Sequence, residues 1–167
     1  MYDKLTEKDI AKIEAEIEER KVVLRPKLQA ALKEAAAQGD RSENYEYYVA
    51  KRDNNRNNSR IRYLEKLIKT AEIISDESAE DEVGINNTVT LYFEEDEEEQ
   101  TFKLVTTVRG SSLTGHISNE SPLGKAVLGH KVGDRVYVAI NENDGYYVKI
   151  LKIENTVDDG SDSLKSF

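Results

Sequence analysis

The sequence predicts an α+β chain in two parts, a helical hairpin followed by a small sheet domain. Residues 5–74 hold one proline and one glycine among many Ala, Glu, Lys and Leu, and their apolar residues recur every three, four or seven positions. Residues 84–154 carry Gly, Thr, Val and Tyr in short alternating runs, as half-buried strands do. Between them lies SDESAEDEVG, residues 75–84, a linker by its acidity and its scarcity of apolar groups. The parts are therefore a hairpin over 1–74, a linker over 75–84, a sheet domain over 85–154 and a tail over 155–167 that is expected to be disordered.

In the first arm, Ile10, Ile13, Ile17, Leu24, Leu28, Ala31 and Ala35 form the seam of an antiparallel coiled coil, opened by a cap at Thr6 with Asp9. Pro26 removes one backbone donor and is expected to kink this arm without ending it, because the pattern resumes beyond it. The second arm offers Tyr45, Val49, Tyr63, Leu64, Leu67, Ile68, Ala71 and Ile74. Its middle, KRDNNRNNSR, is almost without apolar groups, and asparagine is a mediocre helix former. A loop is conceivable there, but helix is the better reading, because periodic residues flank the block and the first arm needs a partner. Arms of roughly 30 residues span about 45 Å.

The second part begins with NTVTLYF, crosses the acidic run EEDEEE as a solvated hairpin loop, and returns as QTFKLVT. GHIS, the short helical piece SPLGKAVLG, and the strands RVYVAI and YYVKILKI around the turn NENDG complete an antiparallel sheet with one small helix.

A net charge of −9 argues against broad, non-specific contact with nucleic-acid phosphates. The absence of cysteine excludes disulfides and thiolate metal sites. MYDKLTEKDI lacks the apolar core of a signal peptide, and no apolar run is long enough for a membrane span, so the expected location is the cytoplasm. His116 and His130 have no ligand-spaced neighbours and are expected at surface or satisfied positions. No nucleophile, phosphate loop or triad is visible.

The bend of the hairpin, AAAQGDRSENYEYYVAK, holds two acidic residues, Asp40 and Glu43, with Arg41 between them. One reading is structural: Gly39 ends the first helix, and Asp40 with Glu43 three residues on makes a capping box for the second. The other is chemical. Two carboxylates at a bend offer hard oxygen ligands for Mg²⁺, which two such groups bind poorly unless a partner supplies the rest.

The stretch RPKLQAALKEAAAQGDRSENYEYYVAKRD, followed by RIRYLEKLIKTAEII, closely resembles the N-terminal coiled coil of the bacterial Gre transcript-cleavage factors. Arg25, Pro26, Gly39, Asp40, Glu43, Asn44, Glu46 and Tyr47 all match the pattern. ISNESPLGKAVLGHKVGDRVYV is similar to the core of that family's C-terminal domain, which implies an FKBP-like fold. The resemblance implies a monomer that binds RNA polymerase through the C-terminal domain at the rim of the secondary channel and inserts the coiled coil toward the active centre. There Asp40 and Glu43 would hold Mg²⁺ jointly with the polymerase, so that the polymerase hydrolyses the RNA 3′ end of a backtracked complex. The factor would be no enzyme in itself. Gly39, Asn44, Tyr45 and Tyr47 would support the tip, Arg41, Lys51 and Arg52 would touch RNA, and Ser121, Pro122, Leu123 and Gly124 would dock on the polymerase.

Some residues depart from the family pattern. Position 45 is usually small there and is tyrosine here, expected to pack at the tip, with stacking on an RNA base as the alternative. Lys51 and Arg52 can equally be solvated helix charges, and Ser121–Pro122 can be a plain helix start. TTVRGSSLTG lacks the family's acidic residues, and the last hairpin lacks its proline. The competing functions are a channel-binding regulator or inhibitor of polymerase without cleavage activity, a prolyl isomerase or chaperone suggested by the fold alone, and a coiled-coil adaptor.

Overall fold

A computed structural model describes residues 3–39, 44–109, 115–158, 160 and 162–165. The chain divides into two compact units, Asp9–Ala71 and a second that joins Asp3–Lys8 to the residues from Glu72 onward.

The first unit is the hairpin. Helix α1 (Glu7–Glu19) runs into a π-helical turn (Arg20–Leu24), then α2 (Arg25–Ala36); α3 (Tyr45–Thr70) returns as one uninterrupted helix. Pro26 does not break the first arm. It sits in the first turn of α2, and the π turn before it carries the Arg25 N–H to the carbonyl of Arg20. The wider turn relieves the clash that a proline ring makes with the carbonyl four residues back. Beyond it, half-buried Leu28 and Leu32 and buried Ala35 share one face, and the predicted seam residue Ala31 is exposed. Ile13, Ala35, Ile61, Leu64 and Leu67 are buried.

The asparagine-rich block is helical, and its residues serve the π turn. Asn57, 2% exposed, donates Nδ2 to the Arg20 carbonyl at 3.2 Å and accepts Arg20 Nη1 at 3.0 Å, while Asn58 accepts Arg25 Nε at 3.2 Å. Glu16 receives Arg20 Nε and Arg60 Nε, both at 2.9 Å. Burial pushes the Glu16 carboxyl up, but hydrogen bonds from Arg60 and Arg20 outweigh it and hold the group below the usual carboxylate range.

The second unit pairs β1 (Lys4–Leu5) in parallel with β2 (Glu72–Ile73), and carries a five-stranded sheet in the order β5-β4-β3-β7-β6. These strands are β3 (Thr88–Phe93), β4 (Glu98–Val105), β5 (His116–Ser118), β6 (Arg135–Ala139) and β7 (Gly145–Glu154). The expectation of a purely antiparallel sheet is corrected: β4 and β5 pair in parallel, Lys103 against His116 and Val105 against Ser118. Ten residues separate the two strands, more than the tight two-residue turn that joins an antiparallel pair. Val89, Leu91, Leu104, Val136, Val138, Val148 and Ile150 point to one face and form the core with Val127 of α4 (Pro122–Val127). The acidic run turns β3 into β4, and Glu94 accepts Arg135 Nε at 2.8 and 3.1 Å.

The tail was expected to be disordered on composition, yet its described residues carry specific partners. Arg109, 2% exposed, donates Nη1 to Asn86 Oδ1 at 2.7 Å and to Asp162 Oδ2 at 3.2 Å. Lys103 Nζ reaches the same Asp162 oxygen at 3.1 Å, and the Asp158 carboxylate lies 3.7 Å from Arg109. His116 Nε2 stands 3.7 Å from Asp162, and His130 Nδ1 stands 3.1 Å from Asp134, so both histidines have acidic neighbours.

Candidate functional site: the hairpin tip and the start of helix α4

Helix α2 ends with the Ala37 N–H on the carbonyls of Lys33 and Glu34, at 3.2 Å each, and the Gln38 N–H on that of Ala35 at 3.3 Å. Gly39 follows with φ = 131°, a conformation that disfavours any side chain, and nothing lies within 4 Å of where a Cβ would stand. Asp40, Arg41 and Glu43 lie outside the described residues.

Asn44 is the N-cap of α3: its Oδ1 accepts the Tyr47 N–H at 3.0 Å. The same amide donates Nδ2 to the Ala35 carbonyl at 2.6 Å and so ties the second arm to the end of the first. The reading that Asp40 caps this helix is thereby corrected. Asn44 is the residue directly before the helix, and an N-cap side chain reaches only the next two or three backbone N–H groups.

Tyr47 is half-buried and meets Tyr48 edge to face at 5.7 Å. Tyr45 does not pack at the tip as expected: it is 77% exposed at the first position of α3. Tyr48 is 52% exposed. Lys51 and Arg52 are exposed farther along α3, with Arg52 Nε 3.9 Å from Asp53. A surface pair at that distance holds Arg52 weakly. Among the described residues, no three His, Cys, Asp or Glu side chains stand close enough to hold a metal ion.

The residues expected to dock divide into two kinds. Ser121 caps α4, accepting the Gly124 N–H at 3.1 Å while donating Oγ to the Ser118 carbonyl at 2.6 Å. Gly124 is buried against the Ser118 carbonyl, where a Cβ would collide, and Leu123 packs on the core. Only Pro122 of the four is exposed. Sequence reasoning missed Asn119, 3% exposed, which lines a hollow of ≈ 330 Å³ with Lys4, Ile74, Ser78 and Lys125. No signal in the sequence marks it; the Asn119 N–H bonds the Val105 carbonyl at 2.8 Å, a partner 14 residues away. Tyr48 and Arg56 were also passed over, although their spacing from Tyr45 on a helix was readable.

Among the described residues, no helix is long and apolar enough to cross a membrane. Residues 4–73 match the N-terminal domain model of the GreA/GreB transcription elongation factors, and residues 77–155 match their C-terminal domain model. The chain is 41% identical over 154 residues to transcription elongation factor GreA of Streptococcus sanguinis, covering 92% of this chain and 96% of that one. It is 40% identical over 153 residues to GreA of Streptococcus pneumoniae, covering 91% and 95%. Among solved structures it is similar to GreA factor homolog 1 of Thermus thermophilus, 24% identical, covering 93% of this chain and 100% of that one with a TM-score of 0.43.

Proposed function

Since the chain belongs to the GreA/GreB family of transcription elongation factors, we propose that it enters the secondary channel of RNA polymerase and stimulates cleavage of backtracked transcripts by the polymerase itself. The observation that carries this reading to particular residues is the cap of α3. Asn44 performs it, so the start of that helix does not call for a cap from Asp40, and the two acids are read through the family's tip motif. The tie from Asn44 to the Ala35 carbonyl closes the bend on a fixed base, a requirement for any group that must be positioned in trans.

In this reading Asp40 and Glu43 offer hard oxygen ligands that fit Mg²⁺, and the polymerase completes the shell. The ion, when bound, lowers the pKa of a water and stabilises charge on the scissile phosphate. The chain's own residues bring negative charge to the active centre and orient the water. The water oxygen would form the new bond to phosphorus as the bond to the 3′ oxygen breaks. The water gives up one proton to solvent and the leaving 3′ oxygen takes one from it, so the retained RNA ends in a 3′ hydroxyl and the released piece carries the phosphate. Arg41, Lys51 and Arg52 face the RNA 3′ end, and Pro122 with the Ser121 cap meets the polymerase at the rim. The factor works as a monomer beside the cytoplasmic enzyme.

The test is an Asp40→Asn, Glu43→Gln double variant in backtracked complexes of the cognate polymerase with Mg²⁺. Transcript shortening is expected to fall on the order of 10²-fold or more, with melting and polymerase binding unchanged. Equal shortening by both proteins would make the two acids structural. Binding without shortening by either would make this a channel-binding regulator.

A further inference from the structure

Two aromatic side chains at the tip are left uncovered by the hairpin. Tyr45 is the first residue of α3 and Tyr48 lies three residues on, so the two share a face. With 3.6 residues per turn, Arg52 and Arg56 fall on that same face, the four within an arc of about 80° and over about 16 Å of helix. All four are exposed. The acidic neighbours Glu46 and Asp53 project roughly 60–80° beyond the edge of the arc. In a chain of net charge −9, a strip that runs from two tyrosines to two arginines with no carboxylate inside it selects an anionic ligand with flat, stackable groups. Single-stranded nucleic acid has that chemistry: aromatic side chains take the bases in any sequence, and arginines follow the backbone.

We propose that Tyr45 and Tyr48 form a stacking platform for a base in the displaced 3′ segment of the transcript, with Arg52 and Arg56 along its phosphates. The platform rests on the proposed function, which brings the tip to that RNA. Tyr45 and Tyr48 are positioning residues: they hold the segment in register with the tip carboxylates and take no part in bond making.

The experiment compares full-length wild type, Y45A/Y48A and Y45F/Y48F in backtracked complexes whose displaced segment carries either normal nucleotides or one abasic nucleotide. Loss of base stacking is expected to raise the factor concentration for half-maximal cleavage by roughly five- to a hundredfold, with the rate at saturation little changed. The phenylalanine variant keeps wild-type behaviour. On the abasic transcript wild type loses the same factor, and Y45A/Y48A loses nothing more. The proposal is overturned if Y45A/Y48A matches wild type, or if the abasic and alanine effects simply multiply. It is also overturned if Y45A/Y48A loses affinity equally for complexes with no displaced RNA, since the tyrosines would then be docking on protein. If wild type binds but shortens no transcript, the proposed function fails. A 4-thiouridine placed in the displaced segment then decides the platform separately: crosslinking within residues 45–48 supports it, and crosslinking elsewhere or none overturns it.

Discussion

Asn44 uses one amide for two tasks, capping α3 through Oδ1 and holding the Ala35 carbonyl through Nδ2. Asn44→Ala removes both, and the expected loss is about 1–2 kcal/mol in the hairpin, measured as a drop in the thermal midpoint. Asn44→Asp keeps the cap but not the tie to Ala35, so it should fall between. Glu16 makes a pH prediction. Its folded pKa lies below its unfolded one, so its contribution is present above the ordinary carboxylate range and is lost as pH falls through the depressed folded value. Glu16→Gln should therefore be less stable than wild type at neutral pH, and the gap should close on acidification, as read from urea midpoints across an acid pH series. Asn44 was legible in the sequence as part of the tip motif. Its role as the cap was not, because Asp40 and Glu43 satisfy the same local spacing rule, and only the backbone shows where the helix begins.

At the scale of the element, the first arm stays continuous through Pro26 by widening one turn, and α3 supplies the polar side chains that turn needs. A π turn has a looser hydrogen-bond ladder, and the buried Asn57 amide adds a second donor to the Arg20 carbonyl, which already accepts the Arg25 N–H. Asn57→Leu is expected to cost about 1–3 kcal/mol, because it leaves that site without its buried donor and acceptor. Asn55→Ala, at an exposed position, should stay within about 0.5 kcal/mol. Hydrogen exchange of residues 20–25 would separate the two, with faster exchange expected for Asn57→Leu alone. The helical nature of the asparagine block was readable from its apolar flanks. Its purpose was not, since the partner carbonyl lies 37 residues away in sequence.

At the scale of the whole molecule, the described part of the tail binds the sheet unit by charge. Asp162 sits among Lys103, Arg109 and His116, and burial, which raises its pKa, is outweighed by the hydrogen bonds and positive charges around it. Arg109 has 1% of its side chain exposed, and Asp162 is one of the two carboxylates that balance its buried charge. Asp162→Asn is expected to destabilise the sheet unit by about 3 kcal/mol, moderated by Asp158 at 3.7 Å from Arg109. Asp81→Asn, which breaks an exposed pair with Lys131, should change little. Urea unfolding followed by tyrosine fluorescence gives both values. The match to the family's C-terminal domain model ends at residue 155, so the acids of this contact lie beyond it and its cations within it.

Periodicity by itself determined the hairpin and the five strands of the larger sheet, because burying an apolar stripe or an alternating face leaves a repeating mark along the chain. It did not show that α3 ends at Thr70 and that Glu72–Ile73 pair with Lys4–Leu5, where Ala71 and Ile74 were expected in the helical seam. Local chemistry likewise determined the Ser121 cap and the left-handed Gly39, since caps and turns are settled within a few residues. Only the tertiary structure decided that β5 joins β4 in parallel, that Ala31 turns outward, that Tyr45 is uncovered and that the tail's acids meet Arg109. Each of these depends on which distant groups arrive beside a residue, and that is fixed by packing across tens of residues.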